Sequence, residues 1–290
     1  MLLRTEHLTK HYNGFRALDD LQLTIGPGEV FGLLGPNGSG KTTALRLILG
    51  FLKPTAGSAS IAGHDCWYDG VAARRHISYL PGELRLYENM TGRQLVNFLG
   101  KLRGQTVTAE LDKLAQRLEI DLSRPLSQLS SGMKRKVALL QVLVPHAQLL
   151  ILDEPTNTLD PIMRDELLAQ LRRARSGGQS VLFSSHVLSE VEQVCDRVGI
   201  LQRGRLVHVQ EMKQLQTGRL IRARLDQPVD SLPPFPGLAE HEREGAQVSW
   251  EYSGALPPLL EWLSRLPVAD LRIQPMGLAP IYHRYHGAQP

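Results

Sequence analysis

An α/β fold with a small α+β appendage is what this sequence predicts, on three observations. The apolar run Glu29 to Leu34 (EVFGLL) has the length of a buried strand, and it leads through Gly35-Pro36-Asn37-Gly38-Ser39-Gly40-Lys41-Thr42-Thr43 into helical spacing from Thr42 to Leu49. A second apolar run, Leu149 to Asp153, ends in the adjacent carboxylates Asp153 and Glu154, the place where parallel strands of α/β folds present ligand-binding groups. After about Thr217 the composition changes: ten of the chain's 18 prolines fall in the last 74 residues, among short strand-like segments. With roughly 150 residues per domain as a guide, the 290 residues divide into a main domain over 1–216 and an accessory domain over 217–290.

Taken in order, residues 1–34 carry β-like stretches at Leu2 to Arg4, Leu21 to Ile25 and Val30 to Leu34. Turn residues separate them, at Tyr12-Asn13-Gly14 and Gly26-Pro27-Gly28. Lys53 to Ser58 breaks the helix after the glycine-rich loop, and strands follow around Ser58 to Ala62 and Ile77 to Leu80. Thr91 to Arg103 and Val107 to Ile120 then show helical spacing, with Leu111, Leu114, Ala115 and Leu118 on one apolar face. They open a helical subdomain over about 83–146, whose last helix starts near Ser130-Ser131-Gly132 and ends before Pro145. Beyond Glu154 come a helix from Pro161 to Arg175, a strand from Ser180 to Ser185, His186, and a helix from Val187 to Val198 that places Cys195 on its core face. A hairpin around Arg203-Gly204 closes the main domain, and the appendage reads β-β-α-β: Arg219 to Leu225, Ala246 to Tyr252, Leu256 to Leu266 and Val268 to Ile273.

The chemistry is concentrated in few residues. Gly35 to Thr43 matches G-x-x-x-x-G-K-[ST], in which glycines let backbone N–H groups wrap phosphate oxygens and a following helix adds its dipole. Lys41 supplies a compact charge for the terminal phosphates and Thr42 a hydroxyl for Mg²⁺, so the chain is expected to bind a nucleotide. Asp153 suits a metal ligand, Glu154 points beyond the terminal phosphate, and His186 ends a buried strand on the same edge. Ser130 and Gly132 at a helix start either cap it or bind phosphate, and Tyr12 is either half-buried or an aromatic platform for a base.

Bulk properties narrow the class. Hydrophobic residues at 42% and charged residues at 21% describe an ordinary globular protein. The net charge of +4 is spread along the chain, so no nucleic-acid partner is expected. Two cysteines give neither a disulfide framework nor a metal cluster, which suits a reducing cytoplasm. The N-terminus lacks a secretory pattern, and no apolar run approaches the ~18 residues a membrane span needs.

With these pieces in order the chain resembles the ATP-binding subunits of ABC transporters over roughly residues 1–216. Gly35 to Thr43 stands as Walker A and Leu149 to Asp153, with Glu154, as Walker B; Leu129-Ser130-Ser131-Gly132-Met133 resembles the LSGGQ signature, Thr158-Leu159-Asp160 the D-loop and His186 the switch histidine. Tyr12 takes the place of the adenine-stacking aromatic. The resemblance implies a P-loop NTPase with a mixed sheet core, an antiparallel β subdomain and a helical signature subdomain. It also implies ATP and Mg²⁺ as cofactors, with Thr42 and Asp153 holding the metal and Lys41, Glu154 and His186 catalytic. Two such chains, alike or paired, would close head to tail on ATP, Ser130, Ser131 and Gly132 of one facing the loop of the other, with Asp160 coupling the sites. The pathway would lie in a separate membrane permease that holds the chain on the inner face of the cell membrane.

Two departures stand out. Where the family usually has a glutamine after the strand at Ile77 to Leu80, this chain has Pro81-Gly82-Glu83, and Ser131 and Met133 replace the usual signature Gly and Gln. These variants, with Leu86 to Gly92, resemble the subgroup that drives ABC-2-type exporters, whose cargo ranges over drugs, antibiotics, lipids and polysaccharides. The alternative, a soluble ABC ATPase acting on ribosomes or nucleic acid, would bring a second cassette or a long coiled-coil insertion, and the sequence has neither.

Overall fold

The computed structural model describes residues 1–227 and 234–287, in two compact units, Met1–Val209 and Gln210–Pro290. The first unit opens with the hairpin β1 (Leu3–Tyr12) and β2 (Phe15–Ile25), turned at Asn13 and Gly14, both with positive φ. Next come β3 (Val30–Leu34), α1 (Lys41–Ile48), β4 (Ala56–Ile61), β5 (His64–Asp65), α2 (Gly70–Arg75) and β6 (Ile77–Leu80). The helical portion holds α3 (Gly92–Leu102), α4 (Thr108–Arg117) and α5 (Ser131–Leu143). The chain re-enters the sheet with β7 (Leu149–Asp153), then α6 (Pro161–Ser176), β8 (Ser180–Ser185), α7 (Leu188–Val194), β9 (Arg197–Gln202) and β10 (Arg205–Glu211).

These strands build two sheets. A six-stranded sheet runs β10-β9-β3-β8-β7-β6, and an antiparallel one runs β2-β1-β4-β5. In the larger sheet β3 pairs in parallel with β8 and β9, and β7 with β8 and β6. All-buried β3 and β7 are near-continuous apolar runs, as strands covered on both faces must be, and β8, equally buried, carries Val181, Leu182 and Phe183 between serines. Ala44, Leu45 and Ile48 of α1 join the same core as Leu3 and Ile25 of the small sheet and Leu33, Ile151 and Leu182 of the large one. Full burial of each leucine or isoleucine contributes about 1.5–3 kcal/mol, so α1 fastens the two sheets together.

Parallel register has one functional consequence. Leu34 lies beside Ser185, Ser184 beside Asp153 and Leu152 beside Leu80, so Gly35, His186, Glu154 and Pro81 leave the sheet along one edge.

In the second unit α8 (Met212–Thr217) precedes β11 (Gly218–Leu225), β12 (Leu238–Glu244), β13 (Gln247–Ser253), α9 (Leu256–Leu263), β14 (Val268–Pro275) and α10 (Ala279–His286). Its sheet, ordered β12-β13-β11-β14, is wholly antiparallel. Ile221, Ala223, Val248 and Trp250 face Leu259 and Leu263 of α9 in a separate core.

Several elements differ from the sequence reading. β1 is ten residues long because His7, with φ 47°, bulges the strand and breaks the inward–outward alternation, and Tyr12 therefore closes the strand. The helix after His186 stops at Val194: Cys195 turns extended, Asp196 N–H donates to Val30 O, and Val198 belongs to β9. The second unit adds the strand β12, whose Leu-Ala-Glu-His-Glu-Arg-Glu sequence has no apolar alternation, and the short helix α10.

Candidate functional site

The loop between β3 and α1 is shaped by close backbone approach. A Cβ at Gly35 would stand 2.4 Å from Ser39 Oγ and 2.5 Å from Leu201 O, and Gly40, at φ 106°, leaves room for Ala17 O at 2.7 Å. The second contact sets the β1–β2 hairpin against the loop, which brings Tyr12 to that side; its ring is 44% exposed, with Lys10 Nζ 5.1 Å from its centroid. Pro36 and Thr43 are half-buried or nearly so, Ser39 is buried, and Asn37 and Gly38 are exposed.

Lys41 is only 5% exposed. Its ammonium donates to Gly35 O at 2.7 Å and Pro36 O at 3.1 Å and lies 3.6 Å from Glu154 Oε1. Burial pulls its pKa below the ordinary 10.5, and the Glu154 and Asp153 carboxylates oppose that shift. A phosphate beside it would favour the charged form in the same sense.

Asp153 is 3% exposed and accepts from Thr42 Oγ at 3.1 Å and from Ser184 Oγ at 2.6 Å. The hydroxyl and the carboxylate expected to hold Mg²⁺ are therefore in contact. A pair of hard oxygen donors fits that ion, which takes one or two protein carboxylates and fills its octahedron with phosphate and water. Glu154 stands at φ 46°. Its N–H donates to Ser184 Oγ at 3.0 Å, and its Oε2 accepts from Asn157 Nδ2 at 2.6 Å and lies 3.6 Å from His186 Nδ1. Lys41, Asp153, Glu154, Thr42 and His186, drawn from three separate parts of the chain, thus form one cluster. Beside it opens a cleft of ≈ 470 Å³ lined by Thr42, Arg46, Glu83, Asp153, Glu154 and Asn157.

The His186 turn has its own buried support. Glu190 Oε2 accepts from Thr156 Oγ and Ser185 Oγ, both at 2.9 Å, and Arg164 Nε lies 3.3 Å from Oε1. Ser185 Oγ also accepts from Val187 N–H at 2.9 Å, which fixes the backbone on either side of the histidine.

Ser130, Ser131 and Gly132 stand apart from this cleft at the exposed start of α5, where Ser130 Oγ accepts from Met133 N–H at 3.3 Å. Capping and an outward-facing helix N-terminus coexist there. Asp160 is likewise exposed and caps α6, its Oδ1 accepting from Met163 N–H at 2.9 Å.

Comparison with known proteins bears on this arrangement directly. A family profile described as ABC transporter matches residues 18–157. The chain is 37% identical over 216 residues to the uncharacterised ABC transporter ATP-binding protein YhcH of Bacillus subtilis, covering 73% of this chain and 70% of that one. It is 34% identical over 209 residues to the bacitracin transport ATP-binding protein BcrA of Bacillus licheniformis, covering 71% and 68%. A solved ATP-binding subunit of an ABC transporter superposes with a TM-score of 0.70 at 30% identity, over 74% of this chain and 92% of that one. This chain belongs to the ABC transporter ATP-binding proteins.

As an ABC ATPase it binds ATP and hydrolyses it, and the P-loop NTPase fold with mixed and antiparallel sheets is the one expected. Sequence reading passed over Asn157, Ser184, Arg46 and Arg135, all within or against the ABC cluster. Ser184 had one available signal: it lies two residues before His186, in parallel register with Asp153. Among the described residues no helix is long and apolar enough to cross a membrane.

Proposed function

We propose that the chain is the ATP-hydrolysing subunit of an exporter, that it pairs with a second copy around ATP, and that it drives a separate ABC-2-type permease at the inner face of the cell membrane. The observation that carries the pairing is the surface at Ser130–Gly132. A Cβ on Gly132 would meet only Thr158 O, at an ordinary 3.6 Å, and the residue has no positive φ. Among the described residues nothing requires glycine there, whereas a ligand reaching the N–H groups of an exposed helix start favours it. Transport as the role is supported by similarity to the bacitracin transport protein BcrA.

In this mechanism the N–H groups of Gly38 to Thr43 cradle the phosphates and Lys41 moves from its loop carbonyls onto phosphate oxygen. Thr42 and Asp153 would hold Mg²⁺, which would supply neutralisation of phosphate charge. Glu154 accepts a proton from the attacking water or orients it, and His186, 3.6 Å from Glu154, contacts the γ-phosphate and keeps that carboxylate aimed. Tyr12 stacks on adenine, and Asp160 helps couple the two sites across the interface between the copies. Glu83, in the segment where the family usually has its glutamine, lies on the cleft wall.

Co-purification tests the partner: the chain should be retained in detergent with the multi-span membrane protein encoded beside it and be released when that protein is omitted. Recovery free of membranes in the presence of that protein would contradict the reading.

A further inference from the structure

Arg135 lies on α5 one turn beyond Ser131 and is 2% exposed. An arginine can be buried only if its charge and its five N–H donors are answered. Here every donor finds a main-chain carbonyl. Nη1 donates to Pro81 O at 2.9 Å and Gly82 O at 3.0 Å, Nη2 to Asp153 O at 3.2 Å and to Glu154 O, and Nε to Pro155 O at 3.3 Å. Burial lowers its pKa, and the nearby Asp153 and Glu154 charges oppose the shift.

The acceptors come from two segments, one continuing β6 and the other continuing β7. Those strands are parallel neighbours, so their ends emerge side by side, and the planar guanidinium spans them as a fork. A lysine offers one point of charge and a glutamine two donors, so neither reproduces the span.

What the fork holds is strained. Glu154 sits in the left-handed region at φ 46°, a conformation that a non-glycine residue keeps only when its surroundings over-determine it. Three groups do so: Ser184 Oγ receives its N–H, and both Arg135 and the Asn157 N–H, at 3.2 Å, donate to its C=O, the arginine alone reaching it from another element. If the carbonyl were released, φ and ψ at Glu154 would relax and carry the carboxylate away from Lys41, Asn157 and His186. The same guanidinium holds Pro81 and Gly82, which lead into Glu83 on the cleft wall.

Arg135 and the Ser130 cap also share one helix, five residues and about 7.5 Å apart along its axis. Any displacement of Ser130 is therefore delivered to the loop that carries Glu154.

We propose that Arg135 is a positioning residue for ATP hydrolysis: it fixes the Glu154 main chain to the helix that begins at Ser130 and so links that helix to the hydrolytic carboxylate. The inference rests on Glu154 serving as the water-activating group.

The test uses the full chain with Arg135→Gln and Arg135→Lys, each made in the native protein and in Glu154→Gln, with folding checked by thermal melting and Kd measured with a fluorescent ATP analogue. Arg135→Gln should lower kcat roughly 10²-fold, the scale of misplacing a reacting group by about an ångström, with Kd within about twofold. Arg135→Lys should fall between it and the native protein, and it supplies the comparison if the glutamine variant does not fold. In the Glu154→Gln background either Arg135 change should lower the residual turnover by no more than about twofold, since residues acting as a unit are non-additive. Equal losses in both backgrounds, or a folded variant with native kcat beside a Glu154→Gln protein that has lost turnover, would overturn the Arg135 assignment alone. Native turnover in Glu154→Gln itself would remove Glu154 from the mechanism and the Arg135 assignment with it.

Discussion

Lys41 and Glu154 face each other at 3.6 Å, and each has a distinct measurable consequence. Replacing Glu154 by Gln removes a proton acceptor while keeping a side chain that Asn157 can still donate to. Turnover should drop by about 10²-fold or more, the scale for a lost general base, with ATP binding retained; steady-state ATPase assays beside a binding isotherm check both halves. Lys41 gives a pH signature. Its pKa lies below 10.5 because it is buried, and bound phosphate stabilises the protonated form. ATP affinity should therefore be full below the pKa of the free protein's lysine and decline as pH rises through it, in a window short of 10.5. Titrating affinity from neutral to alkaline pH checks this, and Lys41→Arg, which stays charged, should flatten the decline. At this scale the sequence was informative where chemistry demands a residue type at fixed spacing, as at Lys41, Thr42 and Asp153. It was silent on Arg135 and Asn157, because an arginine in a Met-Lys-Arg-Lys run reads as a solvated face until the fold buries it, and an asparagine three residues past Glu154 reads as a turn.

Among the elements, the helices carry the most local signal. α3 begins with a reciprocal capping box: Gln94 N–H donates to Thr91 Oγ at 3.2 Å, and Thr91 N–H donates to Gln94 Oε1 at 2.9 Å. Thr91→Ala should cost about 1 kcal/mol of stability, visible as a lowered urea midpoint with an unchanged slope, and ATP affinity should not move because the cap lies outside the cleft lining. Buried parallel strands such as β3 and β7 were legible as apolar runs. β12 was not, since an edge strand in which Glu240, Glu242 and Glu244 are separated by His241 and Arg243 shows no apolar alternation in its sequence. The end of α7 was missed for a different reason: Val187, Val191, Val194 and Val198 keep helical spacing, but tertiary pairing of Asp196 and Val198 with β3 overrides it.

At the scale of the whole molecule the cassette presents two surfaces that do not meet within one chain: the cluster at the strand ends, and the exposed start of α5. Ser130→Ala should cost the helix about 1 kcal/mol as a cap, a loss that a melting curve will show. If the same surface faces a second molecule's ATP, its turnover should fall by more than that stability loss explains, and ATPase activity per molecule should rise with protein concentration. The measurement that bears most directly on the composite site is sedimentation velocity of Glu154→Gln, which holds ATP without consuming it. The protein should sediment as a monomer without nucleotide and as a dimer with ATP and Mg²⁺, and as a monomer again when Ser130→Ala is added at the same concentrations. A monomer at saturating ATP would contradict the composite site.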